Sequence, residues 1–208
     1  MTRIFRIPLT LFCLIVLFTL PQLGSAQEKE TPTDADVLID FKDKAETKRW
    51  ITVNDNVMGG RSKGGFKVMG QKLIFTGKSN TNGGGFSSIR TKPQKWSTKD
   101  ADGLLIKVLG DGRTYKADLL TDNKMRRIPI AYRADFETTK GEWKEIKIPF
   151  KSFEPTLFGS SMKGRTRDLD KTKIETIGFM IYDKKDGPFR LEVDWVKTYK
   201  AANQKGNG

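Results

Sequence analysis

Apolar and polar residues alternate with period two along most of this chain. Phe189, Leu191, Val193 and Trp195 share one parity, with Arg190, Glu192 and Asp194 on the other. Ile146, Ile148 and Phe150 alternate with Glu145 and Lys147, and Tyr132, Ala134 and Phe136 with Arg133 and Asp135. Leu104, Ile106 and Val108 keep step with one another, as do Ile177, Phe179 and Ile181. Further strand-like stretches lie near Val37–Phe41, Phe66–Met69, Lys72–Thr76, Gly85–Arg90 and Tyr115–Leu120. Successive side chains of a strand point to opposite faces, so the pattern predicts roughly ten half-buried strands separated by Gly, Asn, Asp and Pro. The one helical candidate is a turn or two around Asp43–Arg49. Many short strands with almost no helix predict an all-β antiparallel sandwich or barrel, and exclude doubly wound and TIM architectures.

Composition narrows the chemistry. The 208 residues carry 38 Lys and Arg against 25 Asp and Glu, a net charge of +13, with one cysteine and no histidine. Without histidine there is no Ser-His-Asp or Cys-His catalytic pair and no imidazole metal ligand. One cysteine permits neither an intrachain disulfide nor a Cys-rich zinc site. Residues 1–26 read as a secretory signal peptide: Arg3 and Arg6 precede an apolar stretch from Ile7 to Leu20, and Gly24-Ser25-Ala26 offers a cleavage site. Cleavage there removes the only cysteine, Cys13, and lowers the charge to +11. The expected organisation is this segment, a polar lead-in over 27–36, one domain over 37–200 and a disordered tail over 201–208. The expected location is periplasmic or secreted. The positive charge is scattered, so it predicts a solubilising surface with weak attraction to anionic membranes, and no nucleic-acid partner.

Three loop motifs stand out. The first runs from Trp50 to Ser62 and contains Asn54, Asp55, Met58, Gly59 and Gly60. Asn and Asp bond their own backbone, and paired glycines permit positive φ, so the block predicts a tight loop that closes the sandwich or presents a ligand. The second, Asn80 to Phe86, contains Asn82, Gly84 and Gly85 and predicts a long hairpin turn. No Lys-Ser/Thr pair follows and a strand comes next, which excludes a phosphate loop. The third, Gly110-Asp111-Gly112-Arg113-Thr114-Tyr115, reads as a hairpin with Arg113 and Tyr115 on one face. Arg90 and Arg133 are mid-strand arginines, which either pair with a carboxylate or await a carboxylate or phosphate ligand. Asp55, Asp111, Asp135, Glu145, Glu192 and Asp194 supply carboxylates for glycosidase-type chemistry, but no spacing singles out a pair.

In order along the chain these blocks resemble the CIA30 family, the complex I intermediate-associated protein 30 domain. The resemblance rests on Trp50 with Val53 to Gly60, Leu73 to Gly77, Asn82 to Phe86, Gly110 to Tyr115, Trp143 with Ile148-Pro149-Phe150 and Phe153, Ile177 to Phe179, and Gly187 to Val193. It implies a galactose-binding-domain-like jelly-roll sandwich and a non-catalytic assembly role. Under it, Asn54, Asp55, Met58, Gly59, Gly60, Asn82, Gly84, Gly85, Asp111, Gly112, Arg113 and Tyr115 are the candidate binding residues, with no cofactor and no metal. The leading expectation is therefore an exported module binding a protein partner or an envelope polysaccharide. A carbohydrate-binding module stacking sugars on Trp96, Trp143 or Tyr115 is the alternative, and a glycoside-processing enzyme the third reading.

Overall fold

The computed structural model describes residues 36–43 and 45–201. The stretch expected to be a signal peptide, most of the expected lead-in and all but the first residue of the expected tail lie outside the described residues. Thirteen strands account for most of what remains. They are β1 (Val37–Asp40), β2 (Trp50–Asn54), β3 (Lys63–Met69), β4 (Lys72–Ser79), β5 (Ser87–Thr91), β6 (Gly103–Leu109) and β7 (Thr114–Met125). Then come β8 (Ile128–Glu137), β9 (Trp143–Pro149), β10 (Glu154–Leu157), β11 (Ser160–Ser161), β12 (Ile174–Ile181) and β13 (Gly187–Tyr199). A single α-helical turn, Glu46–Arg49, occupies the expected helical stretch.

The strands form two antiparallel sheets. One has the order β3-β4-β13-β6-β9, with β1 also paired to β13; the other has the order β11-β10-β8-β7-β12-β5-β2. Inward residues of both sheets make one core, including Phe75, Leu104, Ile106, Leu191 and Val193 from the first and Ile89, Leu119, Tyr132, Phe179 and Ile181 from the second. Trp50 sits among Phe41, Phe66 and Phe179, stacked on Phe179 at 6.2 Å, and Phe179 meets Phe136 edge-on at 6.2 Å. Apolar faces of two sheets pressed together form the sandwich that the period-two pattern predicts.

Local details depart from the pattern. The parity of the last strand breaks after Val193, because Val193 pairs with Val108 while Trp195 pairs with Lys107. This bulge turns Val196 into the core and leaves Trp195 half-buried, with Lys197 Nζ 4.3 Å from its ring centre. The stretch from Trp50 to Asn54 is a strand rather than part of a loop. The second and third motifs are not hairpin turns. Asn80–Phe86 joins β4 of one sheet to β5 of the other, and Gly110–Arg113 joins β6 to β7 in the same way. Asp-Gly signals a reversal of the chain; which sheet receives the next strand depends on contacts distant in sequence.

Three true two-residue hairpins have positive φ at both central residues, as a type I′ turn requires: Gly70-Gln71, Arg126-Arg127 and Phe158-Gly159. The Arg126-Arg127 and Phe158-Gly159 turns depart from type I′ chemistry, which favours Asn, Asp or Gly at its first position.

Phe179 has no exposed surface and touches aromatic rings from two other strands. Phe179→Ala should cost about 3–5 kcal/mol, read as a lower urea midpoint at an unchanged m-value.

Candidate functional site

Asp55 opens a 3-10 turn, Asp55–Met58, directly after β2. Its side chain is completely buried. Oδ1 accepts from Ser62 N at 2.8 Å, and Oδ2 accepts from Ser62 Oγ at 2.6 Å, Gly85 N at 2.7 Å and Phe86 N at 3.3 Å. A Cβ on Gly60 would stand 2.2 Å from Asp55 Cγ, and one on Gly84 would stand 2.5 Å from Oδ2. These two glycines therefore make room for the carboxylate. Gly59 and Gly85 take positive φ, at +85° and +109°. Asn54 extends the pairing outward, exchanging two hydrogen bonds with the backbone of Gly64. Asn82 lies on the surface of the same loop, its N–H donating to Asn80 Oδ1. Burial pushes the Asp55 carboxyl upward, but the bonds from Ser62, Gly85 and Phe86 outweigh it and hold the group below the usual carboxylate range.

A second cluster gathers around the third motif. Arg113 grips Asp183 with two bonds, Nε at 2.9 Å and Nη2 at 2.5 Å. It also donates to Ser79 Oγ and to the carbonyls of Lys185, Gly187 and Pro188. Asp111 accepts from Arg113 N, from the Tyr115 hydroxyl at 3.1 Å and from Arg190 N at 2.7 Å. Gly112 sits between them at a φ of +88°. Tyr115 is fully buried, and burial with the neighbouring Asp111 charge raises its pKa far above the ordinary phenol value. Burial opposes ionisation of Asp183, yet the Arg113 bond more than compensates and its pKa is lowered.

The motif residues thus form two groups, one around Asp55 and one around Arg113. The polar side chains at their centres are occupied by bonds within the fold. Met58 differs, being 56% exposed beside Val57 at 71%.

These two residues form one wall of a cleft of about 410 Å³ on the outer face of the seven-stranded sheet. Leu157, Phe158 and Ile128 belong to the facing side, and Phe158 is 67% exposed. The floor includes Ser88 and Arg90 of β5, Met180 of β12, Leu120 of β7 and Arg133 of β8. These floor positions alternate with Ile89, Phe179, Leu119 and Tyr132, which point into the core. Arg133 Nε donates to Asp118 Oδ1 at 3.0 Å. Among the described residues Arg90 makes no ion pair, and its Nε is buried without a hydrogen-bond partner.

Arg90 and Arg133 were recognisable as mid-strand arginines, whereas Val57, Ile128 and Phe158 were not among the candidates. The available signal was Phe158 before Gly159: an aromatic at a turn position that prefers Asn. The three proposed sugar platforms lie elsewhere. Tyr115 is in the core, Trp143 lies under Lys72 on the other sheet, and Trp96 donates to Glu175 O while packing on the core edge. Of the candidate carboxylates, Asp135 pairs with Lys116, Glu192 with Arg190 and Asp194 with Lys107.

Asp55→Asn replaces an oxygen acceptor by an NH2 facing N–H donors, and should cost on the order of 3 kcal/mol. For a domain of this size the expected fall in Tm is roughly 6–12 °C. Because the folded pKa is depressed, the carboxylate stabilises above its unfolded value of about 4, and this is lost as the pH falls through the folded pKa. Thermal melts across pH 2–6 should show the wild type losing stability on acidification, with a shallower slope in Asp55→Asn.

The sequence profile of the family described as Complex I intermediate-associated protein 30 (CIA30) matches residues 39–193. "Complex I intermediate-associated protein 30, mitochondrial" of Mus musculus is 30% identical over 193 residues, covering 79% of this chain and 56% of that protein. The Drosophila melanogaster protein of the same name is 31% identical over 191 residues, covering 79% and 63%. The chain thus spans less than two thirds of either relative. Among solved structures, the family 11 carbohydrate-binding module of cellulase Lic26A-Cel5E from Clostridium thermocellum superposes with a TM-score of 0.61 at 16% identity, covering 85% of this chain and all of that one. An agarase superposes with a TM-score of 0.56 at 10% identity, covering 82% of this chain and 25% of that one. At such identities the likeness establishes the β-sandwich fold alone. The expected periplasmic or secreted location is overturned, because these relatives and a third from Caenorhabditis elegans are named as mitochondrial. That expectation rested on residues 1–26, and a basic leader without acids is also a feature of organelle targeting segments. With a family profile matching residues 39–193 and relatives about 30% identical over most of its length, the chain belongs to the CIA30 family.

Proposed function

We propose that the chain is a non-catalytic assembly module that holds a segment of a client protein in the cleft over the seven-stranded sheet. The names of its relatives support a mitochondrial setting and complex I intermediates as the clients. The observation that carries the proposal is where exposed apolar side chains collect. Of the seven large ones among the described residues, four line this cleft: Val57, Met58, Ile128 and Phe158. Exposed apolar side chains gathered around one groove mark an interaction site more strongly than scattered ones. Met and Val form an adaptable wall, suited to a peptide surface. Phe158 occupies a left-handed backbone position that costs an L-residue on the order of 1–2 kcal/mol. Among the described residues five non-glycine residues take a positive φ, and Phe158 is the one apolar side chain of the five. The acidic residues first considered for catalysis are mostly committed to ion pairs or backbone bonds, which supports a binding role.

The carbohydrate reading draws on the fold shared with the family 11 module. Its weakness is the cleft lining, where aliphatic side chains and Met outnumber the flat rings that stack on sugars.

Phe158→Asn should raise stability by about 0.5–1 kcal/mol. The combined Val57→Ser, Met58→Ser, Phe158→Asn variant should keep or raise Tm. In its source organism, the tagged variant should recover complex I subunits at no more than a tenth of the wild-type amount, quantified by mass spectrometry. Equal recovery would defeat the proposal. A glycan array bound by the wild type and not by the variant would transfer the cleft to the carbohydrate reading.

A further inference from the structure

The cleft floor contains an arrangement that apolar contact alone leaves unexplained. Strand register puts Glu154, Arg133, Asp118, Gly178, Arg90 and Ile51 in one row across the seven-stranded sheet, each directly opposite the next. Side chains in such a row share a face, and neighbouring strands are about 4.8 Å apart, so the Arg133 and Arg90 backbones are about 14 Å apart. Gly178 stands between Asp118 and Arg90. A Cβ there would come within 2.5 Å of Ile89 O and 2.8 Å of Arg90 Cβ. Gly178 thus contributes no side chain to the row, and β5 packs closely against the place a Cβ would take, so no third side chain separates Arg90 from Asp118 and its partner Arg133.

The row holds two acids and two arginines, but Glu154 is paired with Lys163 and Asp118 with Arg133, which leaves Arg90 over. Asp118 has a side-chain exposure of 1% and is met by Arg133 at 3.0 Å through Nε, which leaves both terminal NH2 groups over. Arg90 has no carboxylate partner among the described residues, and its Nε is buried and unbonded. A buried unpaired donor on a charged group is costly, and strand arginines ordinarily find an internal partner. Planar guanidinium groups with free N–H donors match the two oxygens of a carboxylate. The surroundings add to the attraction: the Arg126-Arg127 turn leads directly into Ile128 and Pro129 of the cleft, and the chain carries +13 overall.

Resting on the cleft reading above, we infer that the occupant is an extended segment of a partner protein carrying an Asp or Glu between apolar residues. Its carboxylate pairs with the terminal NH2 groups of Arg90 and Arg133, since Arg90 Nε is buried. Its apolar residues lie against Val57 and Met58 on one side and Phe158 on the other. Arg90 is the specificity residue, because it has no bond within the fold to give up. Arg133 is shared with Asp118 and is needed for stability as well.

The test is a selection of random 12-residue peptides displayed on phage against the immobilised full-length chain, followed by fluorescence anisotropy on enriched peptides. Enriched peptides are expected to carry an acid flanked by apolar residues. Arg90→Met should melt within about 2 °C of wild type, since it breaks no internal bond, yet bind these peptides at least tenfold more weakly. Changing the peptide's acid to its amide should cost a similar factor, and raising NaCl from 50 to 500 mM should weaken the wild type more than Arg90→Met. If enriched peptides show no acid preference, or Arg90→Met binds them equally, the carboxylate assignment falls while the cleft reading stands. If peptides bind the Val57→Ser, Met58→Ser, Phe158→Asn variant as well as wild type, or none is enriched, both fall. Binding to cardiolipin vesicles that Arg90→Met abolishes, with no peptide enriched, would replace the protein segment by an anionic lipid.

Discussion

A single buried carboxylate fixes the geometry on which the cleft depends. Asp55 ties together three chain segments: the end of β2, the start of β3 at Ser62 and the start of β5 at Gly85 and Phe86. β3 belongs to one sheet and β5 to the other, so the same carboxylate fastens the two layers at this corner. The 3-10 turn that displays Val57 and Met58 begins at Asp55 itself. Four donors converging on one ion, in a space that Gly60 and Gly84 leave free, hold this turn in one position. A mobile loop would not keep two apolar side chains raised beside a groove.

The Arg113 cluster has the corresponding role at another edge, clamping the β12–β13 connection through Asp183, Lys185 and Gly187. Motifs rich in Gly, Asn, Asp and Arg therefore act chiefly on the protein's own backbone. The proposed recognition falls to side chains of ordinary appearance: Val57, Met58, Phe158 and Arg90. Such a division is physically reasonable. Groups saturated by internal hydrogen bonds have little left to offer a partner, whereas Arg90 and the exposed apolar residues have most of their binding capacity unused.

Much of the fold was legible because one-sided burial imposes a two-residue period, and Phe179, Leu119 or Ile106 could only satisfy it in strands. The bulge at Asp194 was not, since it depends on how β13 meets β6 rather than on any local residue. The sheet switches at Asn80–Phe86 and Gly110–Arg113 were hidden for the same reason: turn chemistry specifies a reversal but not the partner strand. For the candidate site, Asp55 and Arg113 were legible as notable residues, and their internal partners Ser62 and Asp183 were not. Phe158 left a faint trace as a bulky residue before a glycine. The placing of Arg90 opposite Gly178, in one row with Asp118 and Arg133, needed the register of four strands to become visible.

The central question is whether the cleft, and not the motif clusters, meets the partner. Site-specific photocrosslinking addresses this directly. A photoreactive phenylalanine analogue would replace Met58 in the cleft wall, Lys185 beside the Arg113 cluster, or Lys147 on the other sheet, each in the full-length chain during complex assembly. A partner held in the cleft gives one dominant protein adduct from position 58 and little from 185 or 147. A dominant adduct from 185 or 147, with none from 58, would contradict a partner in the cleft.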